Sequence, residues 1–303
     1  MKMIKPIAMT DATLLAHSVA ETDYAVWAVG TTYAAGEKVI MTTGVHKIYE
    51  SVAGGNVGNN PSTTTGFWID LGATNRWKMF DQGVGSLTTD TDEIAVKIAL
   101  ADADYVNAVA LLGVSGNSAL IELLDATDTV LWSQESLLYE FDTSLSVDWY
   151  NYFFSVFEPL DSMIVLNLPR YTSARLRVTI SGDGPVSIGT LAFGKAVDLG
   201  ATQWSPQLGI TDYSTKETDV YGVTTVLERS YATTLNADFF FPHSLLRRVF
   251  KTLADVRATP TVWIGSEDSA FDVTIVYGFF KNFNIVLQHP GGSFCNLEVE
   301  GLT

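Results

Sequence analysis

The chain has 303 residues, with 18 Lys plus Arg against 34 Asp plus Glu and a formal net charge of −16. That balance excludes a protein that coats nucleic acid, because no surplus of cations is available to displace phosphate counterions. Hydrophobic residues make up 47% and aromatics 12%, which excludes disorder, while only 17% are charged, so part of the surface is expected to be covered by other copies of the chain.

The first 21 residues read as an N-terminal arm. Pro6 and Asp11 interrupt any apolar core before signal-peptide length, and no apolar run approaches the ~18 residues of a membrane span. A soluble chain made in a cytosol is expected, with no membrane insertion. Cys295 is the single cysteine, so no intrachain disulfide and no thiolate metal cluster can form.

A small module is expected over 22–72. KVIMT (38–42) and HKIYESV (46–52) flank Gly44 and read as a hairpin. Residues 53–66 have no periodicity and read as a loop that closes on Phe67-Trp68-Ile69. A second unit, 73–197, is a run of strands. Ile94, Val96, Ile98 and Leu100 alternate with small or polar residues, and so do Leu176, Val178 and Ile180. SGDGP (181–185) is a strong turn signal, so RLRVTI (175–180) and VSIGTLAF (186–193) are expected to pair as a hairpin. The fold class is mainly β: a small three-stranded aromatic module, then a β-sandwich of jelly-roll type.

The third unit, 198–303, is β-rich, with strands near 223–231, 236–241, 261–264, 272–277, 283–287 and 294–299. It holds the one convincing helix, 244–258, with Leu245, Leu246, Val249, Phe250 and Leu253 as its apolar stripe. Ser244 is expected to cap the start, and Pro260 ends it.

No catalytic constellation stands out, and the chain is not expected to be an enzyme or to need a cofactor. Gly189, Gly194 and Lys195 spell G-x-x-x-x-G-K, but the intervening Thr-Leu-Ala-Phe is a strand pattern and no helix follows. His17, His46, His243 and His289 are scattered without metal-ligand spacing. Asp90, Asp92 and Glu93, then Asp102 and Asp104, are oxygen-rich but lack the loop glycine and distal glutamate of a calcium site. They read as solvated strand ends.

The aromatics are more informative. Trp27, Thr32-Tyr33, Gly36, Val39, Ile48-Tyr49, Pro61 and Trp68 form a spacing that resembles the small chitin-binding-type carbohydrate module (families 5 and 12). The resemblance implies carbohydrate binding through Tyr33, Tyr49 and Trp68. So small a sheet also needs aromatics to make a core, and both uses stay open. The family's additional aromatics after the second Tyr are replaced here by Glu50-Ser51-Val52-Ala53-Gly54.

TNRWKMFDQGVGS (74–86), ARLRVTISGDGPVSIGTLAFG (174–194) and GITDYSTKETDVYGVTTVLERSYA (209–232) resemble tail tip or baseplate proteins of tailed bacteriophages. There such a module precedes a galactose-binding-like β-sandwich, here 73–197. The resemblance implies a structural protein of the virion, a trimer or hexamer in contact with other tail proteins and with host surface polysaccharide. Two aromatic runs are the interface candidates: Trp149, Tyr150, Tyr152 and Phe153, and Phe239, Phe240 and Phe241. The second is apolar on both strand faces, so the following helix is expected to cover one face and a neighbouring subunit the other. The alternatives are a stand-alone carbohydrate-binding protein and a glycan depolymerase, which would need two carboxylates at fixed spacing.

Overall fold

The computed structural model describes residues 1–83, 85–101, 105–140, 158–289 and 291–302. Two strands open the chain, β1 (Lys2–Pro6) and β2 (Leu14–His17). The small module follows as β3 (Lys38–Thr43), β4 (Val45–Ser51) and β5 (Trp68–Ala73). Next come β6 (Thr88–Asp90), β7 (Glu93–Ala99), β8 (Ala108–Leu112), β9 (Ser118–Leu124), β10 (Val130–Leu137) and β11 (Tyr139–Glu140). After these lie β12 (Glu158–Pro159), β13 (Ser162–Leu166), β14 (Arg175–Ser181), β15 (Val186–Ile188) and β16 (Thr190–Asp198). The last third contains β17 (Ala201–Thr202), β18 (Gln207–Asp212), β19 (Thr215–Thr218), β20 (Thr224–Leu227) and β21 (Tyr231–Pro242). It ends with α1 (Leu246–Asp255), β22 (Thr261–Ile264), β23 (Ile275–His289) and β24 (Gly292–Gly301).

The fold is mainly β, as the period-2 alternation requires. A five-stranded sheet, β10-β9-β14-β7-β2, faces one end of a ten-stranded sheet ordered β13-β8-β16-β1-β22-β23-β24-β21-β17, with β18 also on β21. Between them Ile94, Val96, Ile98, Ile121, Val178 and Ile180 meet Val109, Leu111, Val165, Leu191 and Phe193 in one buried cluster. Inward residues alternate with partly exposed ones along β7 and β14, the pattern of a sandwich with one wet face. Strand β8 is instead buried throughout. Its other face joins Ile4, Ala192, Val262 and Ile264 in a second cluster.

The hairpin expected for 175–180 and 186–193 does not form. Strand β14 pairs with β7 and β9, β15 pairs with β6, and β16 pairs with β8 and β1. The SGDGP turn therefore takes the chain off the five-stranded sheet into β15, and only β16 after it enters the large sheet. A turn signal marks where the chain reverses, but a face buried on both sheets decides which strand it then joins.

Residues 1–21 supply two strands. β1 lies between β16 and β22, antiparallel to both, so it joins the sandwich half of the large sheet to the C-terminal half. There α1 packs Val249 and Leu253 against Met3, Phe239, Phe241, Trp263, Leu297 and Val299. It is the only α-helix among the described residues, and it is shorter than 244–258. A 3-10 turn, His243–Leu245, precedes it, and Leu245 occupies the N-cap position without a side-chain hydrogen bond. The expected Ser244 cap is absent because Pro242 starts the turn early, and His243 Nδ1 is held 3.0 Å from Ser293 Oγ. The strand expected near 272–277 is half helical, with a 3-10 segment ending at Thr274 before β23 begins. No helix among the described residues is long and apolar enough to cross a membrane.

Candidate assembly surface

Strands β3, β4 and β5 pair antiparallel, and Gly44 turns the hairpin at φ +72°, a conformation that costs glycine little. The three residues expected to stack on sugar all point inward. Tyr33 and Trp68 are 4% exposed and Tyr49 is 6% exposed, packed with Val39, Trp27 and Met41. Tyr33 meets Trp68 edge-on at 5.3 Å. The Trp68 Nε1–H donates to the Asn59 carbonyl (2.9 Å), and the Tyr33 hydroxyl accepts from the Ala28 N–H (2.8 Å). Burial also raises the Tyr49 hydroxyl above its ordinary pKa. No face of these rings is offered to a ligand, which corrects the assignment of Tyr33, Tyr49 and Trp68 as carbohydrate-binding residues. A three-stranded sheet has no second layer, so its largest side chains must form its core.

Of the two interface candidates, Trp149, Tyr150, Tyr152 and Phe153 lie outside the described residues. In the second run, Phe239 and Phe241 are fully buried beneath α1, and this corrects their assignment to an interface. Phe240 points to the opposite face, half-buried, 5.1 Å from Phe294. Its ring lies over Gly292, where an added Cβ would come within 2.2 Å. The chain thus covers much of that face itself.

The contacts that hold the module to the sandwich centre on His46, which the histidine spacing did not single out. His46 on β4 stacks on Trp77 at 3.9 Å with the rings 15° apart. Its Nε2 lies 2.7 Å from Asp11 Oδ1 and its Nδ1 lies 3.0 Å from Glu21 Oε1. The Thr74 hydroxyl donates to the same Glu21 oxygen (2.8 Å). The hydrogen bond from His46 holds the Asp11 carboxyl below its ordinary pKa. The imidazole fills the space between the carboxylates, and no group of three or more His, Cys, Asp or Glu that could hold a metal occurs among the described residues. The partners are 35 and 25 residues away in the chain, so no spacing motif marks them.

The most exposed apolar surface lies in 204–231. Trp204 is 90% exposed, Val220 93% and Tyr221 88%, and Leu208, Ile210, Val223, Val226, Leu227 and Tyr231 are all exposed. Every residue of β18, β19 and β20 is exposed. β18 lies along β21, and beyond it β19 and β20 form a two-stranded ribbon paired only with each other. The ribbon's tip is well built: Asp219 Oδ1 accepts from the Tyr221 and Val223 N–H groups, and Gly222 takes φ +82°. At its base the Tyr213 hydroxyl donates to Glu300 Oε1 (3.0 Å), a bond that raises the tyrosine pKa.

Comparison with known protein families, curated proteins and solved structures gives no match. The reading of this chain therefore rests on its own surfaces.

A second apolar surface lies beside α1. A cleft of about 600 Å³ is lined by Leu246, Arg247, Phe250, Lys251, Ala254, Ile285 and Leu287. Phe250 is 56% exposed and Leu287 64%, and Phe250 meets Phe283 edge-on at 5.8 Å. The helical period expected over 244–258 placed Phe250 in the buried stripe. In the fold only Val249 and Leu253 of α1 are buried, and Phe250 stands at the rim.

Proposed function

We propose that this protein is a structural component of a bacteriophage tail tip or baseplate that works as a symmetric homo-oligomer. The observation that carries the reading is the exposed apolar surface of 204–231, whose β19–β20 ribbon has no covering layer among the described residues. An isolated two-stranded hairpin is marginal in water, and exposed apolar patches of this kind belong to interaction sites. The resemblance of 74–86, 174–194 and 209–232 to phage tail proteins supplies the setting, and its third segment coincides with the ribbon. The mechanism is assembly: a β-sandwich body docks through a projecting element, and the small module is carried at the end remote in sequence. No reaction is proposed. A glycan contact through Tyr33, Tyr49 and Trp68 is not part of the reading, because their rings are spent on the module core.

The test is immunogold labelling of intact phage particles from the host that carries this gene, with antibody raised against this chain. Label at the distal end of the tail supports the reading. Label on the capsid, or virions free of the protein, would reject it.

A further inference from the structure

We propose that the β19–β20 ribbon of one copy docks in the α1–β23 cleft of a second copy. The inference rests on the homo-oligomeric reading above and names its contact. The cross-strand pairs Thr215–Leu227 and Glu217–Thr225 set Leu227 and Glu217 on one face of the ribbon, since paired residues share a face and alternate ones follow. Thr215 and Thr225 complete that face, and Val220 and Tyr221 stand exposed at the ribbon's tip. The cleft offers the complement: its lining combines the apolar Phe250, Ile285 and Leu287 with the cationic Arg247 and Lys251.

Charge selects this pairing. Between Trp204 and Tyr231 the acids Asp212, Glu217, Asp219 and Glu228 outnumber Lys216 and Arg229. Around α1 the order reverses, with Arg247, Arg248, Lys251 and Arg257 against Asp255. Copies of a chain with net charge −16 repel one another at a distance, so a cationic cleft facing an acidic apolar ribbon is where that repulsion turns to attraction. The two surfaces differ, so the contact is head-to-tail. It forms a ring if the rotation between copies closes.

Four full-length variants test it. Leu227→Cys and Leu287→Cys are prepared separately with different tags, mixed, and treated with a short bis-maleimide. Each carries one engineered thiol, and the native Cys295 is buried, so a hetero-tagged covalent dimer reports contact between copies only. Arg247→Glu is expected to weaken self-association, followed by analytical ultracentrifugation, by about tenfold. Adding Glu217→Lys to the same chain is expected to restore it. Both positions are exposed, so each variant can be checked for native folding by circular dichroism. If the wild type assembles but gives no hetero-tagged product and ignores Arg247→Glu, the docking is wrong and the oligomeric reading stands. If the wild type is monomeric at every concentration, both fall.

Discussion

At the scale of single residues, burial decides what each reactive group can do. Cys295 is fully buried in the C-terminal core, and loss of solvation pushes its thiol up to about 12. A thiol so placed is not a thiolate at neutral pH and does not react. Native protein is expected to be silent to a thiol reagent at pH 8 and to titrate one thiol after denaturation. Reaction of the folded chain would show that this core opens. His17 behaves in the opposite sense. Burial, reinforced by the charge of Arg76, lowers it from 6.5 to about 4, and its Nδ1 accepts from the Val19 N–H at 3.0 Å. Between pH 6.5 and about 4 the unfolded chain binds a proton that the folded chain does not. The contribution of His17 to stability is therefore full above pH 6.5 and declines as pH falls to about 4, by up to about 3 kcal/mol. His17→Asn, whose Oδ1 can accept the same bond, should flatten this decline in the thermal midpoint. An unchanged slope would assign the acid sensitivity elsewhere.

At the scale of elements, the joint between β1 and β16 is where a single atom matters. Gly194 pairs with Pro6, and a Cβ added there would come within 2.1 Å of the Lys5 carbonyl oxygen. Backbone cannot swing aside as a side chain does, so Gly194→Ala must push β1 from the sheet. The expected loss is about 2–4 kcal/mol, read by urea denaturation. Gly184→Ala, with nothing within 4 Å of the new Cβ, is the control and should change stability by less than ~0.5 kcal/mol. Equal effects at the two sites would show that close approach at Gly194 is not what its glycine serves. The same residue explains the G-x-x-x-x-G-K string: Gly194 serves strand packing on β16, and Lys195 pairs with Lys5 across the ladder.

For the whole molecule, the small module is an insertion whose ends meet. Thr74 is hydrogen-bonded to Glu21, and the Asn75 N–H donates to Asp23 Oδ1 at 3.1 Å. Excising 24–73 and rejoining the ends therefore needs little added chain, and short loops close at small entropic cost. The remainder is expected to fold with both large sheets intact, less stable by about 1 kcal/mol because Trp77 loses its His46 lid. Aggregated product alone would show that the module is part of the sandwich's core. Truncating Met1–Pro6 is the contrasting case, since β1 bridges the two halves of the large sheet.

How far the sequence reached differs with scale. Period-2 alternation along Glu93–Ala99 and Arg175–Ser181, and the Gly44 hairpin, were legible because each depends on neighbours in the chain and on which face meets water. The helix was legible as a stripe, but its cap was not, because Pro242 and Ser293 set the entry from outside it. Strand order was illegible: nothing local tells SGDGP to leave the five-stranded sheet, or Lys2–Pro6 to lie between Asp198 and Ile264. The aromatic spacing of Trp27, Tyr33, Tyr49 and Trp68 was plain, yet spacing does not say whether a ring faces in or out. Within 209–232 the sequence showed a strand near 223–231 and a family resemblance, and nothing about exposure. Only the tertiary structure shows that β19 and β20 pair with each other alone among the described strands, with every side chain exposed. By itself, then, the sequence determined the mainly β class and most of its strands, which follow from local sterics and hydrophobic period. Which rings are core, which strands are neighbours and which apolar surface is left bare were decided by packing between residues far apart in the chain.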